Sequence, residues 1–530
     1  MATFFTGGTI WCGIGCVGQT LRIDGDKIME INGVAAAGDH VVDLEGAFLA
    51  PAFMDGHAHP LFGGREAQGP LINGLQTVSE MVAEVKRFAD ANPNSPWIIG
   101  GAYEAAVIAS GDFLASWLDE AVSDRPVVLQ AVDHHTIWVN SKAIEIAGIT
   151  ADTKDPEGGT IARNLDGSAR GTLREPSAMD LILNCAPKRT LEDDVAAIIW
   201  AADRYLESGV TATVDAWVQP GMAEAYIAAD KSGSLKIDVD LYMLAQPENW
   251  RENVSYFAKV RDEVKSLGPK SKLACKTIKF IGDGALSAGT AALLSPYLDD
   301  PTSTGLLIWS DDELLDAAVL FDAQGYQLHM HAIGDAAVRQ ALDTIEKMQA
   351  INPNWDRRPV ITHAQLIDRV DLPRFASLGV IANFQPLWTY LDPMNKELIA
   401  PRIGDERNNR QYQLASMVKS GARISYGSDW PVTSYLPLLA LAVPTHRQSP
   451  DKWPAAGWSS HESISVEQSL SFYTEGVAYQ GFNEKRFGQI AVGMQADLMI
   501  LDDNPMEVDP HEVAQIKVRA VYKSGVAGIG

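Results

Sequence analysis

A unit of helix, glycine and strand recurs along the middle of this 530-residue chain, and it limits the available folds more than any other feature. Glu192–Leu206 has a helical pattern that stops at Ser208-Gly209, and Val210–Asp215 then reads as a strand. The order returns as Asp311–Gln324, Gly325 and Tyr326–His331, and as Leu372–Leu378, Gly379 and Val380–Phe384. A further copy is Gln411–Ser420, Gly421 and Ala422–Tyr426. Glycine commonly ends a helix in the left-handed conformation. A buried strand directly after each helix marks a parallel sheet, and this many units predict an α/β fold, the (β/α)8 TIM barrel.

The two ends of the chain have another texture. Short strands are expected at Phe4–Thr6, Leu21–Asp24, Lys27–Ile31 and Val41–Leu44, and again at Phe487–Ile490, Asp497–Leu501 and Ile516–Tyr522. They predict one small β-sandwich domain built from both termini, residues 1–50 and 487–530, around a barrel of residues 51–486. The middle exceeds the ~250 residues of a plain barrel. The surplus, about 63–189, reads as an insertion after the first barrel strand, placed over the barrel mouth. It holds Pro96–Gly101, a helix-like Ser110–Ala121 and a strand-like Val127–Gln130.

Charge and composition narrow the partners. Lys+Arg 43 against Asp+Glu 68 gives a net charge of −25, a field that repels nucleic-acid phosphates and anionic lipid. The uncharged run Trp430–His446 is broken by Pro431, Pro437 and Pro444 and is too short to span a membrane. No Lys or Arg precedes Arg22, so a signal-peptide n-region is not expected. The four cysteines match no disulfide or zinc-knuckle spacing, which points to a reducing, cytoplasmic setting. Cys12 and Cys16 read as two small buried residues on a strand rather than as a metal pair. A small-molecule substrate is the expected partner, and a homodimer is the commonest assembly for a soluble oligomer.

The chemistry gathers where strands end. His57 and His59 are i and i+2, so they share a face of extended chain. His331, His363 and Asp429 each close a separate predicted strand, and Lys279 lies in another, Ile278-Lys279-Phe280. Barrel active sites form at these C-terminal strand ends. A histidine pair with distant histidine and carboxylate is what an open catalytic metal site needs, so the residues predict a metal-dependent hydrolase. His329 shares a strand face with His331 but lies deeper, and reads as a residue that supports a ligand rather than as a ligand itself. His40, His446, His461 and His511 lack such placement and read as structural.

Leu49-Ala50-Pro51-Ala52-Phe53-Met54-Asp55-Gly56-His57-Ala58-His59-Pro60 resembles the first-strand motif of the amidohydrolase superfamily. Val132–His135, Trp138–Ala143, Ile278–Phe280 with Asp283-Gly284, His331–Asp335, Gly427–Pro431 and Ala496–Leu501 narrow the resemblance. They point to the YtcJ-like branch that includes N-substituted formamide deformylases. The resemblance implies a barrel with a side β-sandwich and one or two divalent metals, usually zinc. It implies that His57, His59 and Asp429 hold one ion and that His331 and His363 hold a second. Lys279 bridges them if its amine is carbamylated; an unmodified Lys279 beside a single ion is the other reading. Asp429 is implied as general base and acid, and His135 as a substrate or oxyanion contact. Tyr103, Glu104, Trp217, Gln385 and Trp388 are weaker candidates for the substrate-pocket wall.

Ala52 stands where the family usually has Gly, and Thr362 where Glu often precedes the histidine; neither removes a ligand. The expected reaction is hydrolysis of a non-peptide C–N bond in a small amide, N-substituted formamide or cyclic amide. Cleavage of an ester, lactone or phosphoester on the same fold, and a binding protein without catalysis, are the competing readings.

Overall fold

The computed structural model describes residues 2–108, 110–131 and 136–529. Eight parallel strands follow one another around a single sheet. In chain order they are Phe53–Asp55, Val210–Val218, Asp238–Ala245, Leu273–Ile281, Gln327–Ala332, Val360–His363, Ile381–Phe384 and Arg423–Tyr426. Each pairs with the next, as the helix–glycine–strand repeat requires. The four helices of that repeat end before Gly209, Gly325, Gly379 and Gly421, all at positive φ.

The first and eighth strands are joined by individual hydrogen bonds at their upper ends. Gly56 N donates to Tyr426 O at 2.8 Å, Asp429 N to His57 O at 2.7 Å, and His59 N to Trp430 O at 2.7 Å. Gly427 permits this approach, because a Cβ there would lie 2.5 Å from His57 Cβ.

The terminal strands form two sheets. One has the order Lys27–Ile31, Leu21–Asp24, Thr3–Thr6, His40–Asp43. The other runs Val526–Ile529, Val518–Lys523, Leu498–Leu501, Phe48–Pro51, Thr9–Gly13, Cys16–Gly18. The termini meet where Leu498–Leu501 pairs antiparallel with Phe48–Pro51. Phe5, Ile10, Leu21, Ile28, Leu49 and Leu498 pack into the sandwich core.

Three local expectations are corrected. Phe487–Ile490 is not a strand, since Gly488 takes φ 99, which breaks an extended path. Phe487 and Ile490 are nonetheless buried. Cys12 is buried but Cys16 is exposed, so only one of that pair is a core residue. The helix expected from Ser110 begins at Ala115, after Gly111 at φ 64.

Leu61–Ala201 is a separate compact unit, inserted in the chain between the first and second barrel strands. Its five-stranded sheet has the order Thr160–Arg163, Ala169–Arg174, Thr136–Val139, Val127–Ala131, Ile98–Tyr103. Tyr103, Phe113 and Trp138 lie in its aromatic core. Among the described residues, no helix is long and apolar enough to cross a membrane.

Candidate metal centre

The site begins with Asp55, the last residue of the first strand. Its carboxylate accepts from Ser428 N at 2.9 Å, Ser428 Oγ at 2.6 Å, Tyr205 OH at 3.0 Å and His57 N at 3.2 Å. Burial pushes its pKa up to about 6, against the downward pull of these bonds. Asp55 thus ties the segment carrying His57 and His59 to the turn carrying Asp429.

Asp429 adopts φ 57, and His363, the last residue of the sixth strand, adopts φ 72. Left-handed backbone at residues other than glycine is strained and clusters at functional sites. Asp429 Oδ1 lies 3.2 Å from His57 Nε2 and 3.0 Å from His59 Nε2. The His57 and His363 ring centroids are 4.9 Å apart, and those of His331 and His363 are 4.6 Å apart. Ligand-type atoms of His57, His363 and Asp429 all fall within 4.8 Å of one another.

Buried partners aim the rings. His363 Nδ1 is 2.8 Å from Gln385 Oε1, and Gln385 Nε2 donates to Asn383 Oδ1 at 3.2 Å. His331 Nδ1 is 3.2 Å from Asp283 Oδ1. Asp283 also accepts from Ile333 N, Gly334 N and Ala292 N, which fixes the start of the helix Asp335–Ile351 beside it.

The site is buried, and its protonation follows from that. Burial, reinforced by Lys279 and neighbouring histidines, holds His57 well below the usual imidazole range. Burial with the His331 charge does the same to His363. Burial also lowers the Lys279 amine to about 7, opposed by the Asp429 charge. Asp429 is pushed up by burial, but its His59 hydrogen bond and the His363, His59 and Lys279 charges outweigh this and keep it below its ordinary value. At neutral pH His57 and His363 are therefore neutral imidazoles and Asp429 is an ionised carboxylate. Those are the protonation states a divalent ion needs in its ligands. The nitrogen and oxygen donor set suits zinc and its first-row neighbours, so the residues fit a metal ion.

The remaining sequence candidates divide. Trp388 stacks on His363, with centroids 5.4 Å apart and planes at 8°. Trp217 stands edge-on to His59 at 6.2 Å. Gln385 is fully buried behind His363. Tyr103 is buried against Phe113 and Trp138 in the inserted unit, and Glu104 is exposed at the end of its strand Ile98–Tyr103. His135 lies, with Val132–His134, outside the described residues. Sequence alone assigns no role to Asp55 or Asp283, although both lie in the resembling motifs. Asp55 closes the first barrel strand just before His57, and Asp283 follows the strand that carries Lys279; a carboxylate next to a ligand-bearing strand end is the signal that marks them.

Strand ends that converge on one ion-binding cluster make this a metal-dependent hydrolase with a (β/α)8 barrel. The chain belongs to the amidohydrolase family, whose sequence model matches residues 40–527. It is 29% identical over 496 residues to YtcJ of Bacillus subtilis (strain 168), covering 91% of this chain and 89% of that protein. It is 26% identical over 527 residues to the N-substituted formamide deformylase of Arthrobacter pascens, covering 96% and 94%. Among solved structures, a metal-dependent hydrolase from Pyrococcus furiosus superposes with a TM-score of 0.74 at 25% identity, covering 96% of this chain and 100% of the other.

Proposed function

We propose that this protein hydrolyses a non-peptide C–N bond in a small amide, an N-substituted formamide or a cyclic amide. The convergence of His57, His363 and Asp429 within 4.8 Å carries the reading. The name of the Arthrobacter relative, a formamide deformylase, supports the choice of bond. A divalent ion, zinc in this proposal, supplies Lewis acidity and a water of lowered pKa when bound. His57, His59 and Asp429 would hold it, joined by His363, which the resemblance assigns to a second ion. Asp429, ionised at neutral pH, takes a proton from the attacking water and hands it to the leaving nitrogen. Trp388 and Trp217 wall the space beside His363 and His59.

A second ion position is favoured by two observations. His331 Nδ1 lies 3.2 Å from Asp283 Oδ1, and its ring stands beside His363 on one side of the cluster. Lys279, with its amine lowered to about 7, is unprotonated often enough to combine with CO2. The resulting carbamate carries a negative charge and two oxygens, where an ammonium would repel the ions. The free cysteines suit a cytoplasmic setting.

The test is a panel of N-substituted formamides, small amides, cyclic amides, lactones and phosphoesters, run with metal-loaded and chelator-treated protein. Chelator-sensitive turnover confined to C–N substrates supports the reading. Turnover of lactones or phosphoesters alone replaces it with the ester or phosphoester reading.

A further inference from the structure

His329 is fully buried on the fifth barrel strand, in register with Lys279 on the fourth. Its Nε2 lies 2.9 Å from His57 Nδ1, with the two ring planes 9° apart. Its other nitrogen, Nδ1, has no hydrogen-bond partner among the described residues, and the Tyr242 and His329 ring centroids are 4.9 Å apart. A hydrogen bond between two imidazoles needs one donor and one acceptor, so the pair can be satisfied in only two ways. His57 Nε2 is the atom turned toward Asp429. A neutral imidazole that gives Nε2 to an ion carries its proton on Nδ1. His329 must then accept that proton at Nε2 and carry its own on Nδ1.

We infer that His329 is a positioning residue for the ion-binding centre: it accepts the Nδ1 proton of His57, fixes the ring, and presents Nε2 to the ion. This rests on the proposed metal reading. Its buried neutral acceptor has a chemical consequence. A carboxylate in that place would draw the proton away from His57 and lend the ion negative charge, whereas an imidazole orients His57 and leaves the charge on the ion undiminished. A polar ring at this depth, with one nitrogen lacking a partner, is costly as core packing, and the His57 contact accounts for it.

Full-length wild type, His329→Leu, His329→Gln and His57→Ala are compared for zinc affinity by chelator competition, with thermal unfolding of the metal-free forms alongside. Zinc-loaded, 15N-histidine-labelled protein reports the protonation of His57 Nδ1. His329→Leu should bind zinc about 10- to 100-fold more weakly. His329→Gln, whose amide oxygen can accept the same proton, should recover most of that loss and keep the protonated Nδ1 signal. Wild-type affinity in His329→Leu, or equal losses in the Leu and Gln variants, would overturn the positioning role while leaving the metal centre intact. A wild type that binds no zinc, or a His57→Ala variant that binds it undiminished, would instead remove the metal centre and this inference with it.

Discussion

Ser428 Oγ donates to Asp55 Oδ2 at 2.6 Å across the seam between the last and first barrel strands, residues 373 positions apart in the chain. That bond, with Ser428 N and Tyr205 OH on the same carboxylate, sets His57 and Asp429 at their separation. Asp55→Ala would leave several buried donors without an acceptor, each worth roughly 1–3 kcal/mol. Chemical denaturation should show a loss of about 3 kcal/mol or more, with weaker metal binding in the fraction that folds. An unchanged midpoint and slope would show that the seam does not depend on Asp55.

Asp429→Asn should lower turnover by about 10²- to 10⁴-fold, the range for a general acid–base. Metal content by elemental analysis should fall far less, because an amide oxygen still fills the carboxylate's place. A variant with wild-type kcat would transfer the proton-handling role elsewhere.

Lys279 predicts a pH dependence of the metal-free protein. Its folded pKa of about 7 lies below the ordinary 10.5, so between those values the unfolded chain holds a proton that the folded chain lacks. Stability therefore rises with pH across that window, by the linkage of proton number to free energy. Thermal melts from pH 7 to 10 should show the rise, and Lys279→Met should flatten it and raise stability at pH 7. A steeper slope in the variant would contradict the assignment.

Metal removal should destabilise as well as inactivate. An ion bound only by the folded state, at 100 times its Kd, stabilises by about 2.7 kcal/mol. Melting temperature should fall on chelation and return with added divalent ion, in step with activity.

Trp388 covers the His363 ring and donates Nε1–H to Thr433 Oγ1 at 3.2 Å. If it also walls the substrate space, Trp388→Ala should raise KM more than it lowers kcat. The reverse split would mean that it serves only to hold His363.

Much of the barrel was legible because a strand buried on both faces must be a short apolar run, and because helices that stop at glycine announce where such runs start. The histidines and Asp429 were legible for the same reason: each follows a recognisable run. Phe487–Ile490 misled because its alternation suits a strand, while Gly488 bends it for packing against Ala478. Tyr103 and Gln385 show another limit. A residue at a strand end can face the open mouth or a neighbouring side chain, and only the tertiary partner, Phe113 or His363, decides. The Asp55–Ser428 and His57–His329 pairings were illegible because nothing local encodes contacts hundreds of residues apart.

The pairing of Leu498–Leu501 with Phe48–Pro51 has a bearing on biosynthesis. Phe48–Pro51 leads straight into the first barrel strand and then into His57, yet its partner is translated long afterwards. His59 likewise waits for Asp429, 370 positions downstream. A growing polypeptide on the ribosome thus carries His57 and His59 without Asp429 for most of its synthesis. The candidate ligand set His57, His363 and Asp429 is therefore complete only once Asp429 has been made, so the ion site and the seam are finished together.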